Sequence, residues 1–333
     1  MRRAISLALL ASATAWAQAP AEFYKGRTVE LYIGYSVGGG YDIYARLLAR
    51  HMARHIPGNP VIAPKNMPGA GSLTLANWLS AAAARDGSVF ATIGRGIAFD
   101  PLLGTPGTKF TATEFGWLGS ANDEVSVCAA WGKSGITKFE DLYARPVFIG
   151  GTGAGADTDL FPKVMNNILG TKMKLVTGYP GGNDITLAMQ RGEVEARCGW
   201  SWSSIKSGHL QWVKDGTIKL LVQLSLDKHP DLPNVPLIMD LVKTPEQRAI
   251  FRLVFARQVM GRPFLAPPGL PTERLALLRR AFAETMKDPA FLAEADKIKL
   301  EITPVDGEAV QKLVAEIYAT APEIVRKAIE AVK

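Results

Sequence analysis

The stretch Val29-Glu30-Leu31-Tyr32-Ile33-Gly34-Tyr35-Ser36-Val37-Gly38-Gly39-Gly40-Tyr41-Asp42-Ile43-Tyr44-Ala45-Arg46-Leu47-Leu48 decides the fold. Val29 to Tyr35 is a strand-length apolar run, and a glycine turn, Ser36 to Asp42, follows it. From Asp42 the apolar residues recur at helical spacing, Ile43 with Leu47 and Tyr44 with Leu48 and Met52. Pro57-Gly58 stops that helix near His55. The pattern then repeats. Val61 to Ala63 is a strand, the turn Asn66-Met67-Pro68-Gly69-Ala70-Gly71-Ser72 follows, and Ser72 is placed to cap a helix carrying Leu75 and Leu79. Asp86-Gly87 leads into a third strand, Val89 to Ile93, and the loop Gly94-Arg95-Gly96. This is β-α-β-α-β, which implies a parallel sheet. The three loops then lie at the carboxyl ends of strands, where open α/β sheets bind ligands.

A turn of this kind exposes unpaired backbone N–H groups at the positive end of a helix, a ready site for an anion. Two of them in one half of the chain predict a small acidic molecule held largely by main chain. At either turn alone, glycine serving only its permissive dihedrals is an equally open reading.

A second set of such units follows. Ser126 to Trp131 and Pro146 to Ile149 read as strands, the latter ending in Gly150-Gly151-Thr152-Gly153-Ala154-Gly155-Ala156. A helix from Asp157 to Leu169 has Leu160, Val164 and Ile168 on one face. Lys174–Val176, Val194–Cys198 and Ile218–Leu224 are further strands, with a helix capped by Asn183 and ended by Gly192 between the first two. The C-terminal part is mostly helical, with packed faces such as Leu275, Leu278, Phe282 and Met286.

The N-terminus reads as a secretory signal over residues 1–19. Arg2 and Arg3 precede an apolar core, Ile5 to Ala15, too short to span a bilayer, and small residues around Ala17 and Ala19 offer a cleavage site. Removing the two arginines lowers the formal net charge from +7 to +5. The basic residues are scattered, so nucleic acid is not an expected partner. Cys128 and Cys198 lie in separate strands; a disulfide and two small buried hydrophobes both fit them. Two thiols without a nearby histidine do not make a metal site, and no cofactor is expected. The four histidines read as helix-surface or loop residues.

In this order the motifs resemble the periplasmic solute-binding proteins of tripartite tricarboxylate transporters, the Bug family. The segments that carry the likeness are Gly26-Arg27-Thr28-Val29-Glu30-Leu31 with Gly38 to Arg46, Asn66 to Ser72, Asp86-Gly87, Leu232-Pro233-Asn234-Val235-Pro236 and Ala266-Pro267-Pro268-Gly269-Leu270-Pro271. The resemblance runs from about Tyr24 to the end. It implies an α/β, two-domain periplasmic binding protein of type II-like fold, each domain a sheet flanked by helices, with the ligand cleft between them. Domain I would be residues 22–123 plus 226–333, and domain II residues 124–225. A ligand carboxylate would be held by Ser36, Val37, Gly38, Gly39 and Gly40 and by Pro68, Gly69, Ala70, Gly71 and Ser72. The loop containing Gly153, Ala154, Gly155 and Ala156 would close on the far end. The implied protein is an exported, periplasmic monomer that is not an enzyme. It captures a small carboxylate-bearing solute and meets membrane permease subunits transiently.

Two departures bear on the ligand. Ser36-Val37 replaces a proline often found before the first glycine pair, and Ser36 adds a hydroxyl donor. The domain II loop often carries a serine and then a histidine; here those places are Ala156 and Asp159, with Asp157 between them. Asp157 and Asp159 at a helix N-terminus act as dipole partners, or Asp159 faces the cleft and repels a second ligand carboxylate. The second case predicts that a plain di- or tricarboxylate is not the preferred ligand. Arg95 offers a planar fork that suits a carboxylate, or is a solvated loop arginine. Trp200 and Trp202 wall the cleft or pack against the hinge, and Trp202 is counted with the site.

Other functions are less well supported. The Gly151-Thr152-Gly153-Ala154-Gly155 run lacks full dinucleotide-binding spacing, and no acidic residue ends the next strand. A hydrolase would need a nucleophile beside a base, and no serine sits in a GxSxG elbow. A ligand-presenting partner of a membrane sensor would need the same cleft and hinge as a transport protein, so the two are not separated by sequence.

Overall fold

The computed structural model describes residues 20–333, so the signal-peptide reading of residues 1–19 lies outside the described residues. Two sheets organise the chain. The first contains β1 (Thr28–Ile33), β2 (Val61–Asn66), β3 (Val89–Thr92), β4 (Gly116–Ser120), β10 (Pro263–Ala266) and β11 (Val305–Asp306), in the order β11-β4-β10-β3-β1-β2. The second contains β5 (Ser126–Trp131), β6 (Val147–Gly150), β7 (Met173–Val176), β8 (Ala196–Ser201) and β9 (Ile218–Leu224), in the order β7-β6-β8-β5-β9.

β1 pairs in parallel with both β2 and β3, the arrangement that β-α-β-α-β connectivity requires. The return strand β10 enters antiparallel between β3 and β4. In the second sheet β6 is parallel to β7 and β8, while β5 runs antiparallel to β8 and β9. The chain crosses between the sheets through residues 121–125 and returns after β9.

The helices form where apolar residues recur at three and four positions. Gly40–Met52 buries Tyr44, Leu47, Leu48 and Met52 against the first sheet, and a single 3₁₀ turn, Ala53–His55, ends it. Asp157–Leu169 buries Leu160, Phe161, Val164 and Met165 beside β8. One apolar core runs continuously between the two sheets, joining Phe99, Trp117 and Leu265 with Phe161, Val164 and Leu221. Smaller cores cover the outer faces.

Several local expectations change in three dimensions. Ser72 sits at φ 91°, an uncommon conformation for a residue with a Cβ, and gives no side-chain cap to the helix it precedes. Its hydroxyl accepts the Gly94 amide at 3.1 Å instead. The helix expected to be capped by Asn183 begins at Gly182, with Gly181 at its cap. His51 is buried rather than on the helix surface, and its ring nitrogen meets Glu294 at 2.6 Å. Cys128 and Cys198, on the paired strands β5 and β8, are joined as a disulfide. Among the described residues no helix is long and apolar enough to cross a membrane.

Candidate functional site

The loops after β1, β2 and β3 face the loop after β6, the turn before the helix Gly182–Arg191 and the end of β8. Between them lies a cavity of about 100 Å³. Of the residues read from sequence as ligand-binding, Gly38, Gly39, Gly40, Gly71, Arg95 and Ala156 line it. Ser36, Val37, Pro68, Gly69, Ala70, Ser72, Gly153, Ala154, Gly155, Asp159 and Trp202 are not among its lining residues.

The first glycine turn is braced from within. The Gly38 amide donates to Asp42 Oδ2 at 2.8 Å, so that amide is already satisfied. Asp42 also accepts from Arg46 Nε at 2.9 Å and from Asn66 Nδ2 at 2.8 Å. Burial works against its charge, but these bonds hold its carboxyl below the usual range. Ser36 is tied across the crevice: its hydroxyl donates to Asp184 Oδ2 at 2.7 Å and its amide to the Pro180 carbonyl at 3.3 Å. Val37 is exposed.

The second turn is covered by the second lobe. A methyl built on Gly153 would overlap the carbonyl carbon of Ala70, and one built on Gly71 would lie 2.8 Å from the Ala156 Cβ. The glycines at this seam therefore let two backbones touch, which is a close-approach role rather than an open row of amides. Pro68 and Ala70 are exposed outside it.

Asp159 does not face the crevice. It is buried inside the loop after β6, where it accepts from the Gly153 amide at 3.0 Å, from the Thr158 hydroxyl at 3.1 Å and from Thr177. Burial raises its pKa despite those donors. The carboxylate that lines the cavity is Asp157. Its Oδ2 accepts from Arg95 Nε at 2.5 Å, and its Oδ1 lies 3.3 Å from Arg257 Nη1. Arg95 also donates to the Ser126 hydroxyl at 2.7 Å and to that of Ser201 at 3.2 Å, and its own amide meets the Tyr41 hydroxyl. Its fork is thus occupied by the protein's own acid and is neither solvated nor free. Gly155 passes close to Asp100 and lends its carbonyl to Arg257 at 3.2 Å.

Trp202 packs away from the cavity, with its indole N–H 3.2 Å from Asp231 Oδ2, whereas Trp200 lines the wall. Arg197, Arg262, His209 and the stacked pair Tyr35 and Tyr41 complete the wall; none of them was read from sequence as part of the site. Arg262 is buried over the Tyr41 ring at 4.7 Å and lies 3.3 Å from Glu124. Arg197 stands 4.8 Å over the Trp200 ring and donates to the Gly182 carbonyl at 3.0 Å. One signal could have found it: an arginine between Ala196 and Cys198, inside an otherwise apolar strand.

A triad outside the crevice, His229, Asp231 and Glu301, has metal-ligand side chains in reach of one another. The ammonium of Lys206 is already paired with both carboxylates.

Comparison with known proteins identifies the family and the fold. The family model described as "Tripartite tricarboxylate transporter family receptor" matches residues 44–329. A UPF0065 protein of Bordetella bronchiseptica is 24% identical over 319 residues, covering 93% of this chain and 86% of that protein. The periplasmic binding protein BugD superposes with a TM-score of 0.74 at 20% identity, covering 92% of this chain and 98% of that one. MatC from Rhodopseudomonas palustris, solved with malate, gives 0.71 at 18% identity over 90% and 99% of the two chains. A second R. palustris protein, solved with adipate, gives 0.71 at 20% identity over 91% and 97%. These structures are similar in fold: two α/β domains with a crevice between them. The chain belongs to the tripartite tricarboxylate transporter receptor family.

Proposed function

We propose that this protein captures a small carboxylate-bearing organic solute by closing its two lobes around it, then delivers it to the membrane permease of a tripartite transporter. The lobes are taken as residues 22–123 with 226–333, and residues 124–225. The observation that carries the reading is electrostatic. Arg95, Arg197 and Arg262 line the crevice, and Asp157 is the acid that lines it with them. A water-poor crevice with an excess of guanidinium attracts and retains an anion. Relatives in fold solved with adipate and malate support an acid ligand.

Binding rather than catalysis suits the hydroxyls present. Ser201 and Ser204 accept from Arg95 and Arg262, and Ser207 donates to the Ser204 carbonyl. Among the described residues none of these three hydroxyls hydrogen-bonds to His209. The signal-like N-terminus supports export to the periplasm, where such a receptor works as a monomer.

A thermal-shift screen of the protein against small carboxylates tests this. Ligand at a hundredfold its dissociation constant adds about 2.7 kcal/mol of stability. A panel of mono-, di- and tricarboxylates that leaves the midpoint unmoved would refute the reading.

A further inference from the structure

Among the described residues, one cation lining the crevice, Arg197, has no acid within ion-pair distance. Arg197 extends from β8 to the cavity wall, where Nη1 donates to the Gly182 carbonyl at 3.0 Å and, at 3.4 Å, approaches the Thr186 hydroxyl. Its Nε is buried with no partner. Among the described residues no carboxylate lies within ion-pair distance of it, and the charged guanidiniums that act on it are Arg262 and Arg95. Burial and those two like charges push it down to about 9. The neighbouring cations each have an acid, Arg95 and Arg257 in Asp157 and Arg262 in Glu124, although Arg257 Nη2 and Arg262 Nε, like Arg197 Nε, find no hydrogen-bond partner among the described residues. His209, which also lines the wall, has a buried Nδ1 without a partner among the described residues, and burial together with Arg197 lowers its pKa.

Asp157 supplies the other half of the argument. Its carboxylate lines the cavity and occupies the forks that a second ligand acid would need. A half-buried guanidinium with a shielded Nε and no acid costs stability, and a ligand carboxylate reduces that cost. A second ligand carboxylate would find Arg95 and Arg257 already committed to Asp157 and would have to displace it to gain a guanidinium.

Building on the solute-binding reading, we propose that Arg197 holds the single acid group of the ligand and that Asp157 restricts the ligand to monoanions. The ligand's acid then sits on the second lobe, and its uncharged body lies toward Tyr35, Tyr41 and Ile43.

Calorimetric titration near neutral pH with matched acids tests the assignment: butyrate against succinate, pentanoate against glutarate, and benzoate against phthalate. The expected result is monoacid binding at least ~10-fold tighter than the matching diacid. Arg197→Gln should weaken that binding by at least ~10-fold, with partial recovery in Arg197→Lys. The wild-type comparison within each pair needs no variant to fold. Tighter binding of the diacids, or monoacid binding unchanged in a folded Arg197→Gln protein, would overturn this assignment while leaving the solute-binding reading intact. Failure of all six acids to bind would overturn both.

Discussion

The Nε of Arg95, just beyond the end of β3, lies 2.5 Å from Oδ2 of Asp157, in the first turn of the helix that follows β6. Both side chains are buried, and the pair spans the seam between the two lobes. Burial opposes the charge on Arg95, yet Asp157, Tyr41 and Glu124 together raise its pKa. The contact is therefore a latch whose strength depends on water being excluded, and opening the lobes would rehydrate both groups.

Arg95→Met should release that latch. If the lobes stayed shut, a poorly compensated Asp157 would cost about 3–5 kcal/mol. Opening relieves part of this, so the expected loss in urea denaturation is about 1–3 kcal/mol. Small-angle scattering should show a larger radius of gyration. A variant with unchanged radius would show that Arg95 does not hold the lobes together.

Gly153→Val should keep each lobe folded but prevent closure. The glycine has φ 156°, and an added side chain would overlap the Ala70 carbonyl. Acid-induced stabilisation should disappear while the far-ultraviolet circular dichroism is preserved. Retained ligand-dependent stabilisation would show that the seam yields more easily than the packing indicates.

Asp100 makes stability depend on pH. It is buried, one oxygen lacks a partner, and burial pushes its pKa from 3.8 up to about 7, against the opposing pull of Arg257. A carboxyl with a raised folded pKa favours the neutral fold. Its contribution is full below pH 3.8 and is lost as the pH rises through about 7. Asp100→Asn should therefore be more stable than wild type at pH 8 by roughly 2–4 kcal/mol, with the gap closing toward pH 4. A pH-independent difference in melting or urea midpoints would contradict the assignment.

The Cys128–Cys198 bridge closes a segment with a sequence separation of 70. Chain entropy then predicts that Cys128→Ala with Cys198→Ala loses about 4 kcal/mol, chiefly through a freer unfolded state. Equilibrium denaturation with and without reductant checks this: wild type should shift under reductant and the double variant should not.

Much of the scaffold was legible because hydrophobic periodicity is local. Strand runs such as Ile218–Leu224 and helical spacing over Asp157–Leu169 are set by near neighbours, and both elements occur with those bounds. The parallel trio β2-β1-β3 follows from the same alternation. The site was legible only in part. The glycine turns were found, but whether their amides faced a ligand or another backbone depended on what lay opposite.

The sequence alone determined an α/β chain whose strand order, glycine turns and helical faces give two sheets and a crevice beside their loops. Tertiary structure decided who meets whom in that crevice. Arg95 finds Asp157 at 62 residues' distance, Ser36 finds Asp184 at 148, and Arg257 finds Gly155 at 102. Among the described residues Arg197, beside them, is left without an acid. Backbone form follows from residues three or four apart, whereas the pairing of buried charges follows from which distant loops are packed together and dried.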